Sequence, residues 1–207
     1  MNFLIKVCGI TREDDAAVAV EAGANALGFN FYQRSPRYVT PERAREIAGA
    51  VRGDYLRVGV FVNASEGELR WMAEQVPLDV LQLHGGQSAY LPAPYRLWKS
   101  VDPSMPVTDS ASKFEAYLLD TPSEGFGGSG VTFSWQLAAG FPHRAIIAGG
   151  LDARNVAEAI AVARPWGVDA CSRIESHPGR KDAQQVRQFV RAAQGAASKL
   201  FTSEIPL

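Results

Sequence analysis

Two residues of this 207-residue chain have side chains suited to proton transfer and stand where apolar runs stop: Cys8 and Asp120. Cys8 closes a run that starts at residue 3. Lys6, two residues earlier, shares its face of an extended strand. An ammonium beside a thiol favours the thiolate, so Cys8 is a candidate base or nucleophile; the competing reading is a small buried hydrophobe. Asp120 ends the run Ala116-Tyr117-Leu118-Leu119. A carboxyl there is either a cap or turn former, or a desolvated acid with a raised pKa that donates a proton near neutrality.

Other residues suit binding. Gly127-Gly128-Ser129-Gly130 and Gly149-Gly150 let backbone amides approach a phosphate, although glycines also serve plain turns. Arg37, in Arg34-Ser35-Pro36-Arg37-Tyr38, can grip a carboxylate with two hydrogen bonds or stay solvated. His84 closes another apolar run and reads as catalytic or as a hydrogen-bonded structural residue. Cys171 reads as a buried structural thiol.

These residues need elements to position them. Apolar runs at residues 3–8, 24–31, 56–62, 79–83, 95–100, 115–120, 145–148 and 167–171 read as strands. Helical spacing separates most of them. One helix spans 12–22 and stops at Gly23. The next opens at Thr40 and Pro41, and a third has Ser65 with Glu68 as a capping box and reaches residue 75. A short helix is predicted near Ser134, one capped by Asp152 reaches residue 163, and a last one spans 182–196. Only a short helix fits at 86–94, and 101–113 is rich in Pro and Ser. The helical crossovers after strands 4 and 5 are therefore weak. Alternation of this kind implies a parallel sheet with right-handed crossovers. Eight repeats in so short a chain point to a closed α/β barrel, a (β/α)8 TIM barrel, more than to an open sheet. One domain over 1–207 is expected, with a loose tail at 198–207. Chemistry in such a barrel sits where the strands end, and phosphate commonly lies beyond strands seven and eight.

Composition limits the partners. Apolar residues make up 46%, charged residues 21%, and the net charge is -1. Nothing calls for nucleic acid or an anionic membrane, while a small anionic substrate binds through local charge. Two cysteines make no disulfide framework and have no close metal-ligand spacing. No apolar run is long enough to span a membrane, and no signal peptide is evident. A cytoplasmic location is expected; monomer and homodimer are both compatible with the helix faces.

Over residues 3–195 the motifs, in order, resemble the phosphoribosylanthranilate isomerase family. They are Lys6-Val7-Cys8-Gly9-Ile10-Thr11, Gly28-Phe29-Asn30-Phe31-Tyr32, Ser35-Pro36-Arg37-Tyr38, and Val58-Gly59-Val60-Phe61-Val62-Asn63. Gln82-Leu83-His84-Gly85, Leu118-Leu119-Asp120-Thr121, the Gly127 and Gly149 runs, Gly167-Val168-Asp169 and Pro178-Gly179-Arg180-Lys181-Asp182 follow. The resemblance implies a phosphosugar substrate and an Amadori rearrangement in tryptophan biosynthesis, with no cofactor or metal. It implies Cys8 as the general base at ribose C2 and Asp120 as the general acid at the ring oxygen. Arg37 is similar to the residue that holds the anthranilate carboxylate. Gly149, Gly150 and the segment after Cys171-Ser172 are similar to the phosphate site. Three positions depart from the family. Val131 stands for a lysine, Ser134 for an aspartate, and Arg173 for a glycine in the family's Ser-Ser-Gly-Val-Glu. Arg173 either strains that turn or grips the phosphate itself. Two competing readings are an impaired phosphate-ligand-binding barrel and the related histidine-pathway isomerase. The latter uses two aspartates, whereas strand one here ends in cysteine.

Overall fold

In the computed structural model, residues 3–86, 95–105, 107, 113–121 and 130–202 are described. Eight parallel strands close into a barrel in sequence order: β1 (Leu4–Cys8), β2 (Ala26–Asn30), β3 (Leu56–Val62), β4 (Val80–His84), β5 (Arg96–Val101), β6 (Ala116–Leu119), β7 (Ala145–Ile147) and β8 (Gly167–Ala170). β8 returns to β1, pairing Leu4 with Gly167 and Val7 with Ala170. This is the predicted barrel.

Four helices lie between strands or after the last one where the sequence places them: α1 (Glu13–Ala22), α2 (Pro41–Ala50), α3 (Glu66–Gln75) and α5 (Ala183–Thr202), with α4 (Val156–Ala163) between β7 and β8. Their ends follow local chemistry. Gly23 ends α1 at φ 103°, a left-handed conformation that lacks a steric cost only without a Cβ. Thr40 accepts from the Arg43 amide at 3.2 Å, and Ser65 with Glu68 forms the reciprocal capping box. Each such cap contributes about 1 kcal/mol.

The short helix predicted near Ser134 is a single 3-10 turn, Trp135–Ala138. Three details differ from the sequence reading. Asp152 does not cap α4, whose N-cap is Asn155; Asp152 instead accepts from the Arg154 amide at 2.8 Å and pairs with arginines. α5 runs on through Thr202, so the first residues assigned to a loose tail are helical. A short hairpin, β9 (Glu175–His177) with β10 (Arg180–Lys181), follows β8 and was not foreseen. Among the described residues no helix joins β4 to β5 or β5 to β6. Residues 87–94 of the expected short helix, and 106 and 108–112 of the Pro- and Ser-rich stretch, lie outside the described residues, as do Gly127, Gly128 and Ser129.

Strand alternation sorts the core into two layers. Outward residues such as Val7, Leu27, Phe29, Leu81, Tyr117 and Val168 pack under the helices. Inward residues Leu4, Ala26, Val58, Val80, Trp98, Ala116, Leu118, Ile146 and Ala148 fill the lower barrel. The same inward faces carry polar groups above that floor.

Candidate active site

β1 turns Leu4, Lys6 and Cys8 inward, because side chains two apart share a face. Lys6 is fully buried, and its ammonium donates to Asp169 Oδ2 of β8 at 3.0 Å. Burial works against the Lys6 charge, but Asp169 and Cys8 beside it outweigh that cost and hold its pKa above the ordinary lysine range. Burial pushes Asp169 up to about 7; Lys6 opposes the rise. Its other oxygen, Oδ1, is buried without a hydrogen-bond partner.

Asp120 stands just past β6, and its amide donates to Val101 O at 3.2 Å. Burial, then the negative charge of Asp169, pushes its carboxyl up to about 6. That value leaves a proton to give near neutrality. The glycine pair after β7 makes room for it. A Cβ on Gly149 (φ 79°) would sit 2.7 Å from Thr121 Oγ1 and 2.9 Å from Asp120 Oδ1. One on Gly150 (φ 61°) would sit 2.6 Å from Gly130 O. Both positions therefore need glycine for conformation and for space.

Cys8 is buried at the top of β1, within reach of Lys6 as expected. Cys171, however, lies beside it. Cys8 donates a hydrogen bond to Cys171; this bond, then burial, pushes the Cys8 thiol well up, while Lys6 pulls it down. The same bond lowers Cys171 to about 7, helped by the nearby Lys181 and Arg37 charges against burial.

Arg37 is buried and held by Glu175, with Nε 3.0 Å from Oε1 and Nη2 2.8 Å from Oε2. This bidentate pair fixes the guanidinium plane and leaves its Nη1 edge for another carboxylate. Glu175 also receives Lys181 Nζ at 2.8 Å, and Lys181 donates to Cys171 O at 3.2 Å. Asp182, next in the chain, accepts from the Gln184 and Gln185 amides and caps α5. The Pro178–Asp182 motif thus has a physical account: it locks Glu175 under Arg37 and starts the last helix.

His84 closes β4, buried, with Nε2 2.8 Å from Gln82 Nε2. Burial, then the Lys6 charge, lowers it to about 4, so the ring is neutral at physiological pH. It can offer a hydrogen bond but holds no proton for acid catalysis near neutrality.

Beyond β7 and β8, Gly149, Gly150, Ser172 and Arg173 line one small cavity with Asp120 and Cys171. Arg173 donates from Nε to Gly130 O at 2.9 Å and from Nη1 to Asp152 Oδ2 at 3.3 Å. Its φ is not positive, so the strain considered for an arginine at this turn does not arise. Val131 is exposed, and its carbonyl accepts from Thr121 Oγ1 at 2.7 Å. A larger cleft at the opposite end of the barrel, bordered by Phe141, His143, Arg144 and Trp166, has no carboxyl or thiol.

The structure thus gathers Cys8, Asp120, Arg37, His84, Gly149, Gly150, Ser172 and Arg173 at one barrel mouth. Sequence reading missed Asp169, Glu175 and Lys181 as site residues and the place of Cys171. A signal existed for two of them: alternation along Gly167-Val168-Asp169-Ala170-Cys171 puts Asp169 and Cys171 on one face. Among the described residues no three His, Cys, Asp or Glu side chains converge as a metal-ligand set.

The family model for N-(5'phosphoribosyl)anthranilate (PRA) isomerase matches residues 5–192. An N-(5'-phosphoribosyl)anthranilate isomerase of Solibacter usitatus is 51% identical over 200 residues, spanning 94% of this chain and 98% of that protein. The crystal structure of phosphoribosyl anthranilate isomerase from Thermotoga maritima superposes with a TM-score of 0.81 at 36% identity, covering 94% of this chain and all (100%) of that one. A phosphoribosyl anthranilate isomerase in complex with reduced 1-(o-carboxyphenylamino)-1-deoxyribulose 5-phosphate gives 0.76 at 34% identity, covering 94% of this chain and 100% of that one.

Proposed function

The chain belongs to the N-(5'-phosphoribosyl)anthranilate isomerase family, and we propose that Cys8 and Asp120 are the base and acid of its reaction. That reaction is the isomerase step of tryptophan biosynthesis, an Amadori rearrangement of N-(5-phosphoribosyl)anthranilate to 1-(2-carboxyphenylamino)-1-deoxyribulose 5-phosphate. The setting is one cytoplasmic domain.

Protonated Asp120 gives its proton to the furanose ring oxygen as the C1–O bond breaks. The anilino nitrogen supplies the electron pair that makes the C1–N double bond. Cys8, as the general base, then takes the C2 proton, and the C–H electron pair forms the enolamine. Tautomerisation returns the ketone at C2. Cys8 and Asp120 close strands three places apart around the ring, β1 and β6, which leaves the mouth between them for the sugar. Arg37, with its free edge, takes the anthranilate carboxylate. The neutral His84 ring hydrogen-bonds substrate. Gly149, Gly150, Ser172 and Arg173 receive the phosphate.

The observation that carries this reading is the Asp120 carboxyl, pushed to about 6 at the same mouth as a thiol beside Lys6. A barrel that only binds a sugar phosphate gains nothing from such an acid. The test is a steady-state assay with the substrate generated in situ, following loss of its anthranilate fluorescence. Turnover supports the reading; folded protein without turnover overturns it in favour of a binding barrel.

A further inference from the structure

The two cysteines belong to strands that close the barrel. β1 and β8 register Val7 against Ala170, and Cys8 and Cys171 follow one step on. Both sulfurs are given room by missing side chains. A Cβ on Gly9 would lie 3.0 Å from Cys171 Sγ, and one on Gly28 would lie 2.6 Å from Cys8 Sγ and 3.1 Å from Lys6 Nζ. Cationic groups flank the pair on both sides. Lys6 stands at Cys8, while Lys181 Nζ is 3.9 Å from Cys171 Sγ.

From this geometry we infer that the base of the reaction is a two-thiol pair, in which Cys171 carries the resting thiolate and Cys8 passes the proton to it. The inference rests on the isomerase reading and deepens it. As Cys8 Sγ takes the C2 proton, its own S–H proton moves to Cys171 Sγ, and the C–H electron pair stays on carbon as the enolamine. One negative charge thus leaves the thiol pair and passes to the substrate, and every proton is accounted for. Cys171 is a positioning residue, acting through Cys8. In a serine at this place the hydroxyl does not ionise near neutrality, so the device belongs to a chain with cysteine here.

The surrounding charges agree in sign. Lys6 from β1, Arg37 after β2 and Lys181 from β10 favour the anion. Asp169 from β8 is compensated by Lys6, and Glu175 by Arg37 and Lys181. Asp120 lies across the mouth just past β6, and His84 on β4 is neutral. The lowered ionisation of Cys171, to about 7, and the raised one of Cys8 are the two steps expected when two thiols share one proton.

The test needs no substrate in its first arm. Thiolate ultraviolet absorbance is titrated in the native protein, in Cys171→Ala and in Cys8→Ala. One thiolate should form near pH 7 in the native protein, and this step should move to higher pH in both variants. Survival of the step in Cys171→Ala would assign it to Cys8 alone, and survival in Cys8→Ala to Cys171 alone; either outcome overturns the pair. So does a native protein with no thiolate near neutrality, a result that does not depend on any variant folding. The second arm is kcat/KM against pH for Cys171→Ala and Cys171→Ser. Relative to native protein each should fall about 10-fold for every unit the ionisation rises, and the deficit should close toward pH 9 with KM unchanged. A deficit constant across pH means a packing role and overturns the inference. Failure of all turnover with the titration intact would count against the isomerase reading instead.

Discussion

Leu118 of β6 and Asp120 just past it stand two residues apart, yet they belong to regions built on opposite principles. The floor beneath them, with Val80, Trp98, Ala116 and Ile146, is apolar and buried. It removes carbon from water, and its one polar side-chain group, the Trp98 indole N–H, donates to Glu115 Oε2 at 3.2 Å. The mouth above holds Lys6, Asp169, Cys8 and His84 buried, with Cys171 and Asp120 partly buried beside them. There every charge is desolvated and must be compensated by a neighbour. The floor contributes stability, whereas the mouth trades stability for shifted proton affinities. Two displaced carboxyls and two displaced thiols in one layer are what acid–base chemistry at neutral pH requires.

That contrast can be broken or sharpened by substitution. The largest effect is expected at Cys8. Cys8→Ser should lower kcat by about 10²- to 10⁴-fold, the usual worth of a general base, with little change in KM or in the urea midpoint. Near-native kcat would remove Cys8 from the chemistry. His84→Gln comes next. The unfolded chain takes up a proton near 6.5, whereas folded His84 waits until about 4. Its contribution to stability is therefore complete above 6.5 and is lost as pH falls toward 4, a change of about 3 kcal/mol at most. Asp120 and Asp169, whose pKa values are raised, slope the other way over pH 4–7. The measurement is thus the difference between native and His84→Gln unfolding at pH 4.5 and 7; a pH-independent difference contradicts the neutral ring. Arg37→Ala should raise KM by about 10-fold or more, the worth of a charged hydrogen bond, and an unchanged KM removes it from the carboxylate site. The smallest effect is expected at half-exposed Arg173. Arg173→Gly should raise KM a few-fold if its guanidinium turns from Asp152 to phosphate, and a lower KM would identify it as an obstruction.

The same contrast explains what could be read in the sequence. The strands, Thr40 and Ser65 as caps, and the shared face of Lys6 and Cys8 follow from local periodicity and local hydrogen bonds. Cys8 and Asp120 were legible because strand ends are the chemical end of a barrel. The pairs that tune them were not. Lys6 meets Asp169 across 163 positions, and Arg37 meets Glu175 across 138; only barrel closure brings them together. Asp152 misled for the same reason. Its short side chain suits a cap, but Arg154 and Arg173 claim it. Cys171 looked inert until β8 returned beside β1.

The measurement that reaches the central claim most directly pairs the two β6 neighbours. Urea midpoint and kcat are measured for Leu118→Ala and Asp120→Asn under one set of conditions. Leu118→Ala should lose about 2–5 kcal/mol of stability and keep its kcat per folded molecule, whereas Asp120→Asn should keep its midpoint and lose nearly all turnover. Full turnover in Asp120→Asn would contradict the division of this barrel into a stabilising floor and a catalytic mouth.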